Sequence, residues 1–124
     1  MIRAIRSFAV FVTDIDRAIH FYERVLGLPV ARRGSFGAEF LDEAPHLHVV
    51  PAVHPEARKL VGRDTGITFH VPDLLHHCGV LHERGVRFVQ EPTQAGFGVM
   101  AMVADPDGNV MALWDDKLPE ERQG

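Results

Sequence analysis

The chain has a single cysteine, Cys78, in 124 residues. No intrachain disulfide can form, and a reducing compartment is its natural setting. Long apolar runs are missing too: none approaches the roughly 20 residues of a membrane-spanning helix. The opening Met-Ile-Arg-Ala-Ile-Arg-Ser lacks the apolar core of a secretion signal. A cytoplasmic protein with no membrane partner is therefore expected. Nor is there an excess of positive charge, with 13 Lys and Arg against 17 Asp and Glu and a net charge of −4. The basic residues interleave with acidic ones, as in Asp14-Ile15-Asp16-Arg17 and Glu83-Arg84. Binding to a duplex rests on clustered Lys and Arg, so no nucleic-acid partner is expected.

An apolar content of 46% beside 24% charged residues is ordinary for a globular domain able to bury a core without a staple. The most telling feature is a repeat. Residues 7–30 run from Ser-Phe-Ala-Val-Phe-Val-Thr-Asp-Ile-Asp through a helical stretch to Gly27 and Leu-Pro-Val. Residues 66–89 run from Gly-Ile-Thr-Phe-His-Val-Pro-Asp-Leu-Leu through a helical stretch to Gly85 and Val-Arg-Phe-Val. A βα unit that cannot bury its own sheet face, written twice, implies two halves closing around a shared cavity.

Period-2 alternation predicts a first strand over 7–13, with Phe8, Val10 and Val12 on one side and Ser7, Ala9, Phe11 and Thr13 on the other. Asp14 is a good N-cap, and Ile15, Ala18, Ile19, Tyr22, Val25 and Leu26 form one helical stripe that Gly27 stops. Strands follow over 28–34, 36–41 and 46–51. The polar, Pro-started stretch 53–64 reads as a linker with one helical turn. In the second half the strand is 66–71, Asp73 is the expected cap, and Leu74, Cys78 and Leu81 are the buried stripe. Strands are expected over 86–90, 99–104 and 110–114, with Asp105-Pro106-Asp107-Gly108-Asn109 as the turn before the last. The resulting organisation is one domain over 1–124. It comprises a first βαβββ module (1–52), a linker (53–64), a second module (65–115) and a polar tail (116–124).

Three motifs in this order carry a family resemblance. They are Val12-Thr13-Asp14, the run Phe21-Tyr22-Glu23-Arg24-Val25-Leu26-Gly27-Leu28, and the turn Ala104-Asp105-Pro106-Asp107-Gly108-Asn109. On these the chain resembles the vicinal oxygen chelate superfamily, which includes glyoxalase I, extradiol dioxygenases, fosfomycin-resistance transferases and bleomycin-resistance proteins. The resemblance implies an α+β fold of tandem βαβββ modules forming a pair of cupped half-barrels, and a homodimer. In metal-dependent members four ligands, commonly His and Glu, lie in the first and last strands of each module. By register they fall here on Ser7, His48, Gly66 and Ala112. Gly66 and Ala112 have no donor atom and neutral Ser7 is a poor ligand, whereas such sites want imidazole, thiolate or carboxylate donors. No metal and no cofactor are expected at the usual site.

Inward parity gives a cavity lining of Ser7, Ala9, Phe11, His48, Thr68, His70, Met100, Met102, Ala112 and Trp114. A few polar groups among Phe, Met and Trp suit a small molecule. The ligand-binding residues expected are Ser7, Phe11, His48, Thr68, His70, Met102, Ala112 and Trp114, with no catalytic residue. The function expected is sequestration of a drug or metabolite, in the manner of bleomycin-resistance proteins. The alternative is a lyase, isomerase or dioxygenase working through a non-standard metal or a His48/His70 acid/base pair. His20, His76, His77 and His82 read as solvated helix positions, and Cys78 as a small core residue.

Overall fold

A computed structural model describes residues 1–123, so Gly124 of the expected tail lies outside the described residues. Strand β1 (Ser7–Val12) leads to helix α1 (Ile15–His20), a π-helical turn (Phe21–Val25), and strands β2 (Val30–Gly34), β3 (Gly37–Phe40) and β4 (His46–Pro51). Helix α2 (Pro55–Arg58) follows. Strand β5 (Asp64–His70), helix α3 (Leu74–Glu83) and strands β6 (Arg87–Ala95), β7 (Gly98–Ala104) and β8 (Val110–Asp115) then repeat the order, before a last helix, α4 (Pro119–Gln123). Each run builds its own mixed four-stranded sheet, ordered β1-β4-β3-β2 and β5-β8-β7-β6, and neither closes into a barrel. The α+β class and the doubled βαβββ order are as the sequence implies. Two compact units result: Met1–Arg63 with Pro106–Asn109, and Asp64–Asp105 with Val110 onward.

In the first unit the alternation of β1 sorts its side chains as expected. Val10 and Val12 are buried with Leu47, Val49, Ala38 and Phe40 of the neighbouring strands. Ala18, Phe21 and Tyr22 are buried as well, and the Tyr22 ring lies 5.8 Å from that of Phe40. Asp14 caps α1 by accepting the Arg17 N–H at 3.1 Å. The helix does not stay α-helical to its end. Leu26 N–H donates to Phe21 O at 2.9 Å, a π-type bond. Both Phe21 and Tyr22 are thereby buried, with rings stacked at 5.2 Å, although successive α-helical residues point about 100° apart.

The outer edge of β1 is covered by polar side chains. Ala9 O accepts from Arg63 Nη2, and Phe11 O from Asn109 Nδ2, each at 2.9 Å. Thr13 donates to Asp107 through its N–H at 3.0 Å and its hydroxyl at 2.6 Å. The turn Asp-Pro-Asp-Gly-Asn therefore does more than reverse the chain. Its side chains occupy backbone groups that would otherwise invite another strand.

In the second unit α3 lays Leu74, Cys78 and Leu81 into the interior beside Ala101, Val103, Met111 and Leu113, all buried. Burial pushes the Cys78 thiol up to about 11, consistent with a core side chain rather than a nucleophile. The expected cap is corrected. Asp73 sits in the left-handed region (φ 56°) and makes no capping bond through its side chain. The buried Asp115, at the end of β8, accepts the Leu74 N–H at 3.2 Å and the Lys117 N–H at 3.0 Å. Strand β6 is also longer than expected. Two register irregularities, between Phe88 and Gln90 and between Gln90 and Thr93, carry it past Pro92, which an edge strand tolerates. Among the described residues no helix is long and apolar enough to cross a membrane.

Because a distant carboxylate starts α3, Asp115→Ala is expected to cost about 1–2 kcal/mol in urea denaturation. Asp73→Gly, which keeps the left-handed backbone accessible, is expected to change stability by less than about 0.5 kcal/mol.

Candidate functional site

Each sheet has one sealed face and one open face, and the expected site residues lie on the open faces. In the first unit Ser7, Ala9 and Phe11 of β1 share a face with His46, His48 and Val50 of β4, through the pairs Ser7–His46, Ala9–His48 and Phe11–Val50. All six are half-buried. The same face continues through Glu39 of β3, opposite His48, to Arg32 of β2, opposite Glu39. One row across the sheet therefore reads Ala9, His48, Glu39, Arg32.

Glu39 dominates this face. Only 3% exposed, it binds two guanidinium groups. Arg6 donates Nη1 to Oε2 at 2.6 Å and Nη2 to Oε1 at 3.1 Å. Arg32 donates Nε and Nη2 to Oε1 at 3.0 and 2.5 Å. These charge-assisted bonds, from Arg6 first and then Arg32, hold the Glu39 carboxyl at about 2. The arginines are themselves 59% and 61% exposed, so the carboxylate is hidden by its partners on a sheet surface. Arg6 precedes β1 and is held in place by its carbonyl, which accepts the His46 N–H at 2.8 Å.

The β2–β3 turn folds an aromatic ring over the same area. Phe36 is 42% exposed; its ring centroid lies 5.9 Å from Arg32 Cζ and 5.7 Å from the His48 ring. Its carbonyl is 3.0 Å from His48 Nε2. Gly37 (φ 108°) makes the turn possible, since a side chain there would collide with the Val49 carbonyl. His46 Nδ1 lies 2.8 Å from Leu41 O. Both imidazoles of this face are thus oriented by backbone carbonyls, which act as acceptors.

In the second unit two rows cross the open face. One is Thr68, Ala112, Met102, Gln90; the other is His70, Trp114, Met100, Thr93. Thr68, His70, Met102, Ala112 and Trp114, all singled out from the sequence, are brought together there. Trp114 is fixed at its polar edge and beneath its ring. Its Nε1–H donates to Asp116 Oδ1 at 2.6 Å. Asp116 Oδ2 lies 3.5 Å from His70 Nε2. Beneath the indole, Gly98 leaves space that any Cβ would fill.

The four positions that the family uses for metal do not fit one. In the first unit Ser7 is a neutral hydroxyl diagonal to His48, whose Nε2 already faces the Phe36 carbonyl. In the second unit Gly66 and Ala112 supply no side-chain donor. No group of three or more His, Cys, Asp or Glu among the described residues is placed to hold a metal ion. The nearby Glu39 is committed to two arginines.

Sequence reasoning passed over Arg6, Arg32 and His46 as site residues. Part of the cluster was within reach. Gly34–Gly37, Arg33–Ala38 and Arg32–Glu39 are successive pairs of a tight hairpin, so Arg32 and Glu39 form an opposite-charge cross-strand pair. Arg6 comes from irregular backbone, and no periodicity points to it.

Residues 4–113 match the Glyoxalase/Bleomycin resistance protein/Dioxygenase superfamily. The chain is 30% identical to a lactoylglutathione lyase of Pseudomonas aeruginosa, over 78% of this chain and 73% of that protein. It is 29% identical to the uncharacterized protein YetH of Bacillus subtilis, over 91% and 98%. Among solved structures, TnmS3, an antibiotic binding protein from Streptomyces sp. CB03234, superimposes with a TM-score of 0.73 at 30% identity, covering 92% of this chain and 96% of that one. The chain belongs to the Glyoxalase/Bleomycin resistance protein/Dioxygenase superfamily.

The Glu39 carboxyl is lowered from 4.5 in the unfolded chain to about 2 when folded. The stability it contributes is complete above pH 4.5 and is lost as the pH falls through that window toward 2. Urea denaturation of wild type and Glu39→Gln should show a stability gap that is constant above pH 5 and shrinks below about pH 4.

Proposed function

We propose that this member of the superfamily binds a small molecule, a drug or metabolite, on the open sheet faces, without a metal at the family's usual positions. The observation that carries the reading is the composition of those faces. In the first unit half-buried Phe11 shares its face with the polar Ser7 and His48; in the second, half-buried Met100, Met102 and Trp114 share theirs with the polar Thr68 and His70. A binding surface of this kind draws affinity from apolar burial and uses a few hydrogen bonds to choose the pose. The antibiotic binding protein TnmS3, at 30% identity over nearly the whole chain, supports sequestration over turnover. The reading includes a homodimer and a reducing, intracellular setting.

Catalysis is the second reading, favoured by the 30% identity to a lactoylglutathione lyase. It would need a relocated metal, or His48 and His70 acting as proton donor and acceptor.

Trp114 is the sole tryptophan, so its fluorescence reports on one open face. Screening aromatic antibiotics and metabolites is expected to yield compounds that quench it and raise the melting temperature by several degrees, as binding at about 100 times Kd requires. Trp114→Ala is expected to weaken such compounds about tenfold or more. A library in which no compound shifts the melting temperature would refute the binding role. Elemental analysis of untagged protein separates the two readings. A near-stoichiometric divalent metal that His48→Ala and His70→Ala remove would establish the catalytic one.

A further inference from the structure

The arginine pair of the first unit goes unused in a purely apolar binding face, and it has a chemistry of its own. A buried carboxylate needs one cation for neutrality, but Glu39 has two, Arg6 and Arg32. The cluster therefore carries a net charge of about +1 at neutral pH. Arginine has five N–H donors in a planar fork, and Glu39 engages two bonds from each. Roughly three donors per guanidinium are left over. Among the described residues neither guanidinium has a hydrogen-bond acceptor other than Glu39, and both side chains are more than half exposed. Glu39 thus acts as a shared hinge pin. It fixes two flexible side chains in one place, so that their ordering need not be repeated when a ligand arrives.

The neighbours narrow the ligand further. The exposed Phe36 ring lies beside Arg32 and His48, toward the charged end of the row that starts at the apolar Ala9. A flat apolar body can rest on the ring and the strand face while an anionic end meets the guanidinium edges. We propose that the first unit recognises a planar aromatic molecule carrying an anionic oxygen group, a carboxylate or a phosphate, with Phe36 as the platform and Arg6 and Arg32 as the anchor. This rests on the small-molecule reading above and assigns the ligand's charge and shape.

Matched probes test it on the intact chain by calorimetry: 2-naphthoate, its neutral isostere 2-naphthamide, and 2-naphthyl phosphate. In about 20 mM salt one or both anions should bind at least about tenfold more tightly than the amide. Raising salt to about 300 mM should erode that preference and leave the amide unchanged, because screening acts on the charge alone. Arg32→Gln should cost the anions about tenfold and spare the amide; Arg6→Gln should do the same. Phe36→Ala should weaken anions and amide together. Comparing naphthoate with naphthyl phosphate distinguishes the two anion chemistries. Equal binding of anion and amide, or anion binding untouched by Arg32→Gln in a variant with wild-type melting behaviour, overturns the anchor and leaves the small-molecule reading standing. No binding of either anion overturns the anchor as well. Failure of the broader reading is seen separately, in the Trp114 screen.

Discussion

A β-strand can present only every second side chain to one side of its sheet, and that constraint orders this whole molecule. Helix α1 with its π turn in one unit, and α3 in the other, bury one parity of the strands against apolar residues. The opposite parity is left open: half-buried Ser7, Ala9, Phe11, His46 and His48 in one sheet, and in the other exposed Thr68 and His70 beside half-buried Met100, Met102, Ala112 and Trp114. Slipping a strand by one residue would exchange the two sets and place imidazole under a helix. The devices that fix register are therefore part of the site. The polar cover over β1, from Arg63, Asp107 and Asn109, is one of them, and the glycine turn at Gly37 is another.

The same constraint explains how a carboxylate can be both buried and ionised. Glu39 shares its face with His48, away from the sealed core, so its burial comes from two guanidinium groups. Replacing water with fixed N–H donors favours the ionised form, which is why its carboxyl is lowered rather than raised. A carboxylate sunk into the apolar side of the sheet would shift the other way. Trp114 shows the complementary arrangement. There an apolar body lies over the small Gly98, and its polar edge is satisfied by Asp116.

Much of this was legible in the sequence because it is periodic. Alternation marked the strands, the i, i+4, i+7 spacing marked Leu74, Cys78 and Leu81, and the doubled pattern gave the βαβββ order. Parity alone placed Thr68, His70, Met100, Met102, Ala112 and Trp114 on one face. What escaped was non-local. The carboxylate that starts α3 comes from Asp115, far along the chain, while the obvious local candidate Asp73 adopts a left-handed backbone. The π turn at Phe21–Val25 answers the demand to bury two adjacent aromatic rings, which helix propensity does not encode. Arg6 reaches Glu39 from outside any regular element.

These features bear on how one fold serves both catalysts and carriers. Metal-dependent chemistry in this superfamily draws on donors at a few register positions, and the strands supply those positions whatever residues occupy them. Here they hold Ser7, His48, Gly66 and Ala112, and the nearest strong donor, Glu39, is bound to arginines. Substituting donors by small residues does more than remove a Lewis acid. Glycine and alanine open room on the second unit's sheet face, and in the first unit a carboxylate engaged by two arginines converts local negative charge into a positive anchor. The scaffold that would hold a cation to polarise substrate oxygens is thereby turned toward holding an oxyanion directly. Between those two uses of the same pair of sheets lies only the choice of side chain at a handful of alternating positions.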